Sequence, residues 1–266
     1  FIVTIHDLIL LQDRLSARSS SNNPILHGFK YAGFRSVLEN AIHRSKRIIT
    51  VSAESKSQIL KHFNIKEKKV SVIHNGLTPP KKEQDINLTA LGIYEPYFLY
   101  VGNAYPHKNL DILLEAFAEF KKENKFAQLV IAGKRDIFSH KLEKTARILG
   151  INAESIRFIN LPSDSELACL YKKASLFIYP SRLEGFGIPP LEAMHFKTPV
   201  AASNASSIPE ILHTSALYFD PDDSKNLVQY MNRAIHQPES LNPLIKAGLA
   251  RTKQFSWNEH EQKTLD

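Results

Sequence analysis

Tyr97-Phe98-Leu99-Tyr100-Val101 is followed by amphipathic spacing over Asn109–Lys122 and then by Gln128-Leu129-Val130-Ile131-Ala132. Two runs that are apolar along most of their length read as strands buried on both faces. A helix between them implies a right-handed crossover joining parallel neighbours. The rhythm continues toward the C-terminus, with strands at Ile156–Ile159, Ser175–Tyr179, Pro199–Ala202 and Ala216–Phe219 and helices at Phe138–Gly150 and Asp164–Lys173. Residues 97–254 therefore read as one Rossmann-like domain with a parallel sheet.

The residues before this domain keep the same alternation: a strand at Phe1–Ile5, helical spacing over Tyr31–Lys46, and β-branched strands at Arg47–Val51 and Val70–Ile73. Ser52 sits where a helix N-cap belongs, with Glu54 in the first turn to complement the helix dipole. Pro79-Pro80, the charged run Lys81–Asp85 and a shortage of large apolar residues mark 79–96 as a linker. Residues 1–78 amount to about half of the ~100–150 residues a domain usually takes, and the chain opens directly in a strand with no initiator Met. The expectation is an α/β protein of two domains, the first incomplete and truncated at its start.

Composition narrows the function. The 266 residues carry 34 Lys and Arg against 27 Asp and Glu, a net charge of +7, which suits anionic partners without choosing among them. One cysteine, Cys169, cannot form an internal disulfide, so a reducing, cytoplasmic setting is expected. No apolar run approaches the ~18 residues of a membrane span. The basic runs lack interleaved aromatics, which speaks against single-stranded nucleic acid. No metal-ligand spacing among the 11 His, no Walker loop and no nucleophile elbow is present, so no metal and no cofactor are expected.

In an open parallel sheet, ligands bind where the strands end. Three strand-end loops carry suitable residues. The first is Gly102-Asn103-Ala104-Tyr105-Pro106-His107-Lys108, whose lysine is a point charge for a diphosphate. The second is Gly133-Lys134-Arg135-Asp136, basic again. The third is Ser181-Arg182-Leu183-Glu184-Gly185-Phe186-Gly187-Ile188-Pro189-Pro190-Leu191-Glu192. There Gly185 and Gly187 let the backbone approach a ligand, amides at the helix start suit phosphate oxygens, and Glu184 and Glu192 suit vicinal hydroxyls. His6-Asp7 and His74-Asn75-Gly76 end strands of the front portion. A ligand with both phosphates and sugars would satisfy all of these groups together.

The ordered set Ile5-His6-Asp7-Leu8, Thr50–Ser55, Ile73–Leu77, Tyr100–Asn103 with His107-Lys108-Asn109, the paired acids Glu184 and Glu192, and Phe255-Ser256-Trp257 resembles the retaining family 4 glycosyltransferases of the GT-B fold. The lysine loop is similar to that of bacterial mannosyltransferases of surface-polysaccharide assembly. The resemblance implies two Rossmann-like domains facing across a cleft, with 255–266 crossing back onto the first. It implies that Glu184 holds donor-sugar hydroxyls, Glu192 the ribose, Lys108 the diphosphate, and Gly185, Phe186, Gly187 and Ile188 the donor's length. His6 would reach in from the facing domain. Relatives carry an arginine where Gly102 or Asn103 stands here, so Arg182, Lys134 or Arg135 is expected to supply the missing charge. The implied reaction moves a hexose, with GDP-mannose the first donor, to a saccharide or lipid-linked acceptor, near the membrane surface where the acceptor is lipid-linked. A nucleotide-sugar epimerase and a non-catalytic nucleotide-sugar-binding protein use the same scaffold.

Overall fold

The computed structural model describes residues 1–12, 24–81 and 84–265. Strands β1 (Ile2–Ile5), β2 (Arg47–Thr50) and β3 (Val70–Val72) form a three-stranded sheet in the order β1-β2-β3, with both pairs parallel. A second sheet holds β4 (Tyr97–Val101), β5 (Gln128–Gly133), β6 (Ile156–Asn160), β7 (Leu176–Tyr179), β8 (Val200–Ser203) and β9 (Leu217–Phe219). Its order is β6-β5-β4-β7-β8-β9, and every pairing is parallel. This is the GT-B arrangement of two Rossmann-like units. Strand order reverses between β4 and β7, so the loops after those two strands diverge and leave a crevice at their carboxyl ends.

The helices are α1 (Ile9–Gln12), α2 (Pro24–Arg44), α3 (Ala53–His62), α4 (Leu110–Glu123), α5 (Ile137–Ile148), α6 (Asp164–Lys173), α7 (Ile188–His195), α8 (Ile208–Leu212), α9 (Ser224–His236), α10 (Asn242–Thr252) and α11 (Trp257–Leu265). Among the described residues none is long and apolar enough to cross a membrane. Local chemistry sets their ends. The Ser52 hydroxyl accepts the Ser55 amide at 3.1 Å and starts α3. Asp136 and Ser139 form a reciprocal capping box on α5, which stops before Gly150 in the left-handed region at φ 76°.

There are two apolar cores, one on each sheet. Ile5, Leu8, Ile42, Ile48, Ile59, Phe63 and Val70 pack together in the first. In the second, Phe98 meets Phe117 and Phe120 edge-on at 6.2 and 5.1 Å, under the fully buried Tyr97–Tyr100 run. Each such side chain removed from water is worth about 1.5–3 kcal/mol, so β4 is fixed rigidly beneath its terminal loop. The chain end returns to the first unit. The Leu77 amide donates to the Phe255 carbonyl at 3.0 Å, Trp257 Nε1 donates to Thr78 Oγ1 at 2.8 Å, and His260 Nδ1 meets the His74 carbonyl at 2.9 Å.

Candidate active site

A cavity of about 740 Å³ opens between the two units. Its second-domain wall is the loop after β4, with Gly102, Asn103, Tyr105, His107 and Lys108, and the loop after β7, with Glu184 through Pro189. Its first-domain wall is His6, Asp7 and Asn75 beside an apolar group, Ile9, Leu10, Tyr31 and Phe34.

The two second-domain loops are tied to one another. The Arg182 amide donates to the His107 carbonyl at 2.8 Å. Asn109, expected as the first helical residue, instead takes the left-handed region at φ 57° and starts α4 from outside. Its carboxamide donates to the carbonyls of Pro180 at 3.2 Å and Pro221 at 2.8 Å. Asparagine tolerates that conformation, and the turn it makes aims Lys108 back toward β7.

Lys108 Nζ donates to Glu184 Oε1 at 2.6 Å, with side chains only 13% and 7% exposed. The same ammonium lies 5.7 Å from the centre of the Tyr179 ring. An ion pair this dry is expensive to break from one side, about 3–5 kcal/mol, because the survivor is left charged and buried. Burial and the Glu184 charge push the Tyr179 phenol well above its ordinary range, and Tyr100 is raised by the same two causes, so both stay neutral donors. The Glu184 carbonyl accepts from Ser206 Oγ at 2.9 Å and Ser207 Oγ at 3.0 Å, which fixes the loop's direction.

Several expected groups lie elsewhere. Glu192 is not in the cavity wall: its Oε2 accepts the Tyr171 hydroxyl at 2.8 Å, one helical turn beyond Ile188. Burial raises its pKa and the charge of Asp164 adds to this, against the Tyr171 bond, which lowers it. Arg182 is ion-paired with Asp222, reaches the Pro221 carbonyl, and is not among the residues that line the cavity. Arg135 is paired with Glu143 and stacks 5.6 Å over Phe158. With the exposed Lys134 it lines a separate small cavity behind Gly102. Arg182 found a carboxylate 40 residues away, and Arg135 one on the helix that follows its own loop. The helix start is also poorer in donors than expected. Since α7 begins at Ile188, Pro189 and Pro190 remove two of its first four amides, leaving Ile188 and Leu191.

Residues outside the expected set close the cleft. Ser52 Oγ donates to the Gly185 carbonyl at 2.7 Å across the two units. The Glu210 carboxylate, from the second unit, accepts the Ala53 amide at 2.8 and 2.9 Å, the Glu54 amide at 3.3 Å and His74 Nε2 at 3.2 Å. It thereby caps a helix of the facing domain. His74 also packs 5.9 Å from both Phe186 and Phe255. Ser206-Ser207-Ile208-Pro209-Glu210, an acid just after a proline at a strand end, was the available signal.

Burial raises the Glu210 pKa, but the bonds from His74 and the two amides outweigh it and hold the group below its ordinary value. A carboxyl so lowered supports closure fully above the free value near ~4.3, and that support is lost as pH falls through the lower, closed-state value. Glu210→Gln should cost about 2 kcal/mol of closed state, roughly a 30-fold shift toward the open form. Small-angle scattering should show a larger radius of gyration for the variant, and unchanged scattering would remove Glu210 as a latch.

Residues 81–251 match the glycosyl transferases group 1 family, and residues 1–79 match glycosyltransferase family 4. The chain is 34% identical over 215 residues, 79% of its length, to the O-antigen chain mannosyltransferase RfbU of Salmonella typhimurium. It is 31% identical over 246 residues, 86% of its length, to the O-antigen chain mannosyltransferase B of Escherichia coli. It spans only 56% and 63% of those two proteins. Among solved structures it resembles WaaG, a glycosyltransferase involved in lipopolysaccharide biosynthesis, with TM-score 0.77, 18% identity, and 98% and 73% of the two chains covered. Anabaena HepE, solved in complex with UDP-glucose, superposes with TM-score 0.80 at 19% identity over 99% and 71% of the two chains. With more than half of its residues matched by the first of these families, the chain belongs to the glycosyl transferases of group 1.

Proposed function

We propose that the protein transfers a hexose from a nucleotide diphosphate sugar to a saccharide or lipid-linked acceptor of a surface polysaccharide, with GDP-mannose as the first donor candidate and retained anomeric configuration. The observation that carries this reading is the Lys108–Glu184 pair, set at the switch point of the second sheet and facing the first domain. The similarity to two O-antigen chain mannosyltransferases supports the choice of sugar.

In this reading the donor diphosphate takes Lys108 as counter-charge, together with the backbone from Gly185 to Ile188. Gly102 and Asn103 belong to the same wall of the cavity, on the loop that carries Lys108. Glu184 orients Lys108 through one oxygen and the donor-sugar hydroxyls through the other. The ribose runs along α7 toward Glu192, which lies one helical turn beyond the cavity wall and holds the Tyr171 hydroxyl through Oε2. The acceptor oxygen forms its bond to the anomeric carbon on the face that the phosphate oxygen leaves. The acceptor's hydroxyl proton passes to that departing oxygen, so no enzyme nucleophile is needed. Fixed positive charge at the leaving group does most of the work, as electrostatic preorganisation does generally. His6 reaches the sugar from the first domain, and the apolar wall at Ile9, Leu10 and Phe34 suits a lipid-linked acceptor.

The test is an assay of the full-length protein with GDP-mannose and isolated lipid-linked oligosaccharide, with the product's anomeric configuration read by NMR. Transfer with retention is the expected result. Epimer or free sugar released without acceptor, or binding without turnover, would replace the reading with an epimerase or a non-catalytic protein.

A further inference from the structure

All of the excess positive charge lies in the first domain. Residues 1–78 carry 12 Lys and Arg against 5 Asp and Glu, whereas residues 79–266 carry 22 against 22. Much of that charge converges on one place. A second cavity, of about 540 Å³, is lined by Lys46, Arg47, Ile65, Lys66, Lys68 and Lys69 and by nothing acidic. Lys46 and Arg47 stand at the start of β2, and Lys66 through Lys69 lead into β3, so the cavity sits at the amino ends of the first sheet. The cleft lies at the carboxyl ends of the same strands. A four-residue strand spans about 13 Å, so the two sites are separate.

Two of the five cations have structural work. Lys69 Nζ donates to the carbonyls of Ile42 at 2.6 Å and His43 at 2.9 Å, satisfying the end of α2, and Arg47 reaches the Lys68 carbonyl at 3.4 Å. The side-chain ammoniums of Lys46, Lys66 and Lys68 make no hydrogen bond or ion pair among the described residues; only their backbone groups are bonded. Glu67, the one acid in the run, is turned to Lys56 at 3.0 Å and is absent from the lining. Like charges gathered around one hollow repel one another, and nothing described in the fold offsets them; a bound anion would. The hollow is within the size range of small-molecule sites, ample for a phosphate group and what it is attached to.

We infer that this cavity binds a phosphate-bearing anion, held by Lys46, Lys66 and Lys68 and distinct from the donor cleft. The same chemistry is offered by an anionic lipid headgroup and by a soluble phosphate or diphosphate. The full-length protein and its Lys46→Gln/Lys66→Gln/Lys68→Gln variant are compared in two arms, co-sedimentation with phosphatidylglycerol vesicles and titration with inorganic pyrophosphate. Hydrogen exchange in the second arm separates binding here from binding in the cleft. The lysines are on the surface, and an unchanged melting temperature checks that the variant folds. A Lys→Arg triple variant, keeping the charge, should retain binding in either case.

Vesicle binding that falls roughly 100-fold in the Gln variant supports a headgroup ligand, since each of the three lysines near an anionic surface is worth about fivefold. Pyrophosphate binding that slows exchange at 46–47 and 65–69, and loses that effect in the Gln variant, supports a soluble ligand. Failure of the wild type to bind either probe, or equal binding by wild type and Gln variant, overturns the inference. So does an oligonucleotide that binds more tightly than both probes with the same lysine dependence.

Discussion

Lys108→Ala should lower turnover by about 100-fold or more and, separately, weaken the fold by about 3 kcal/mol. The first effect follows from removing the fixed positive charge closest to the proposed leaving group, where loss of one preorganised donor typically costs 10²–10³ in rate. The second follows from the pair's burial: Glu184, with its side chain 7% exposed, would be left charged and without its partner. Combining Lys108→Ala with Glu184→Gln separates the two. The double variant should regain most of the stability, since neither partner is stranded, and none of the activity. A double variant as unstable as the single one would show that the pair is not what makes Lys108 important to the fold.

Gly185→Ala should be nearly as damaging for a different reason. A Cβ on Gly185 would overlap the His6 carbonyl oxygen and lie 2.9 Å from Asp7 Cβ, both of the facing domain. Neither backbone can yield without opening the cleft, and the Ser52 bond to the Gly185 carbonyl would go with it. Turnover should fall by about 100-fold, as misplacement by ~1 Å commonly causes, while the second domain's own core is untouched. Urea unfolding should therefore show a second-domain transition like that of the wild type. Activity within a few-fold of wild type would mean that the domains do not need this contact to work.

Most of the architecture was legible because it rests on local pattern. Apolar runs such as Phe98–Tyr100 can only be buried strands, and their alternation with amphipathic helices implies the crossover topology and hence the ligand edge. The Ser52 cap was legible for the same reason. What could not be read was set by which groups the fold brings together. Arg182 and Arg135 are cations in the expected loops, but Asp222 and Glu143 claim them. Glu192 sits in the expected motif, yet four residues of helix beyond Ile188 carry it about 6 Å along α7, to Tyr171. Glu210 stands in the first turn of α8, where acids are common, and only the approach of the two domains shows that it caps the neighbour's helix.

The central claim is that Lys108 and Glu184 grip a nucleotide diphosphate sugar between the domains. Calorimetric titration of the full-length protein with GDP-mannose, beside Lys108→Ala/Glu184→Gln, tests it most directly. The account predicts one site per chain in the wild type and at least a tenfold loss of affinity in the stable double variant. Equal affinity in the two proteins would contradict it.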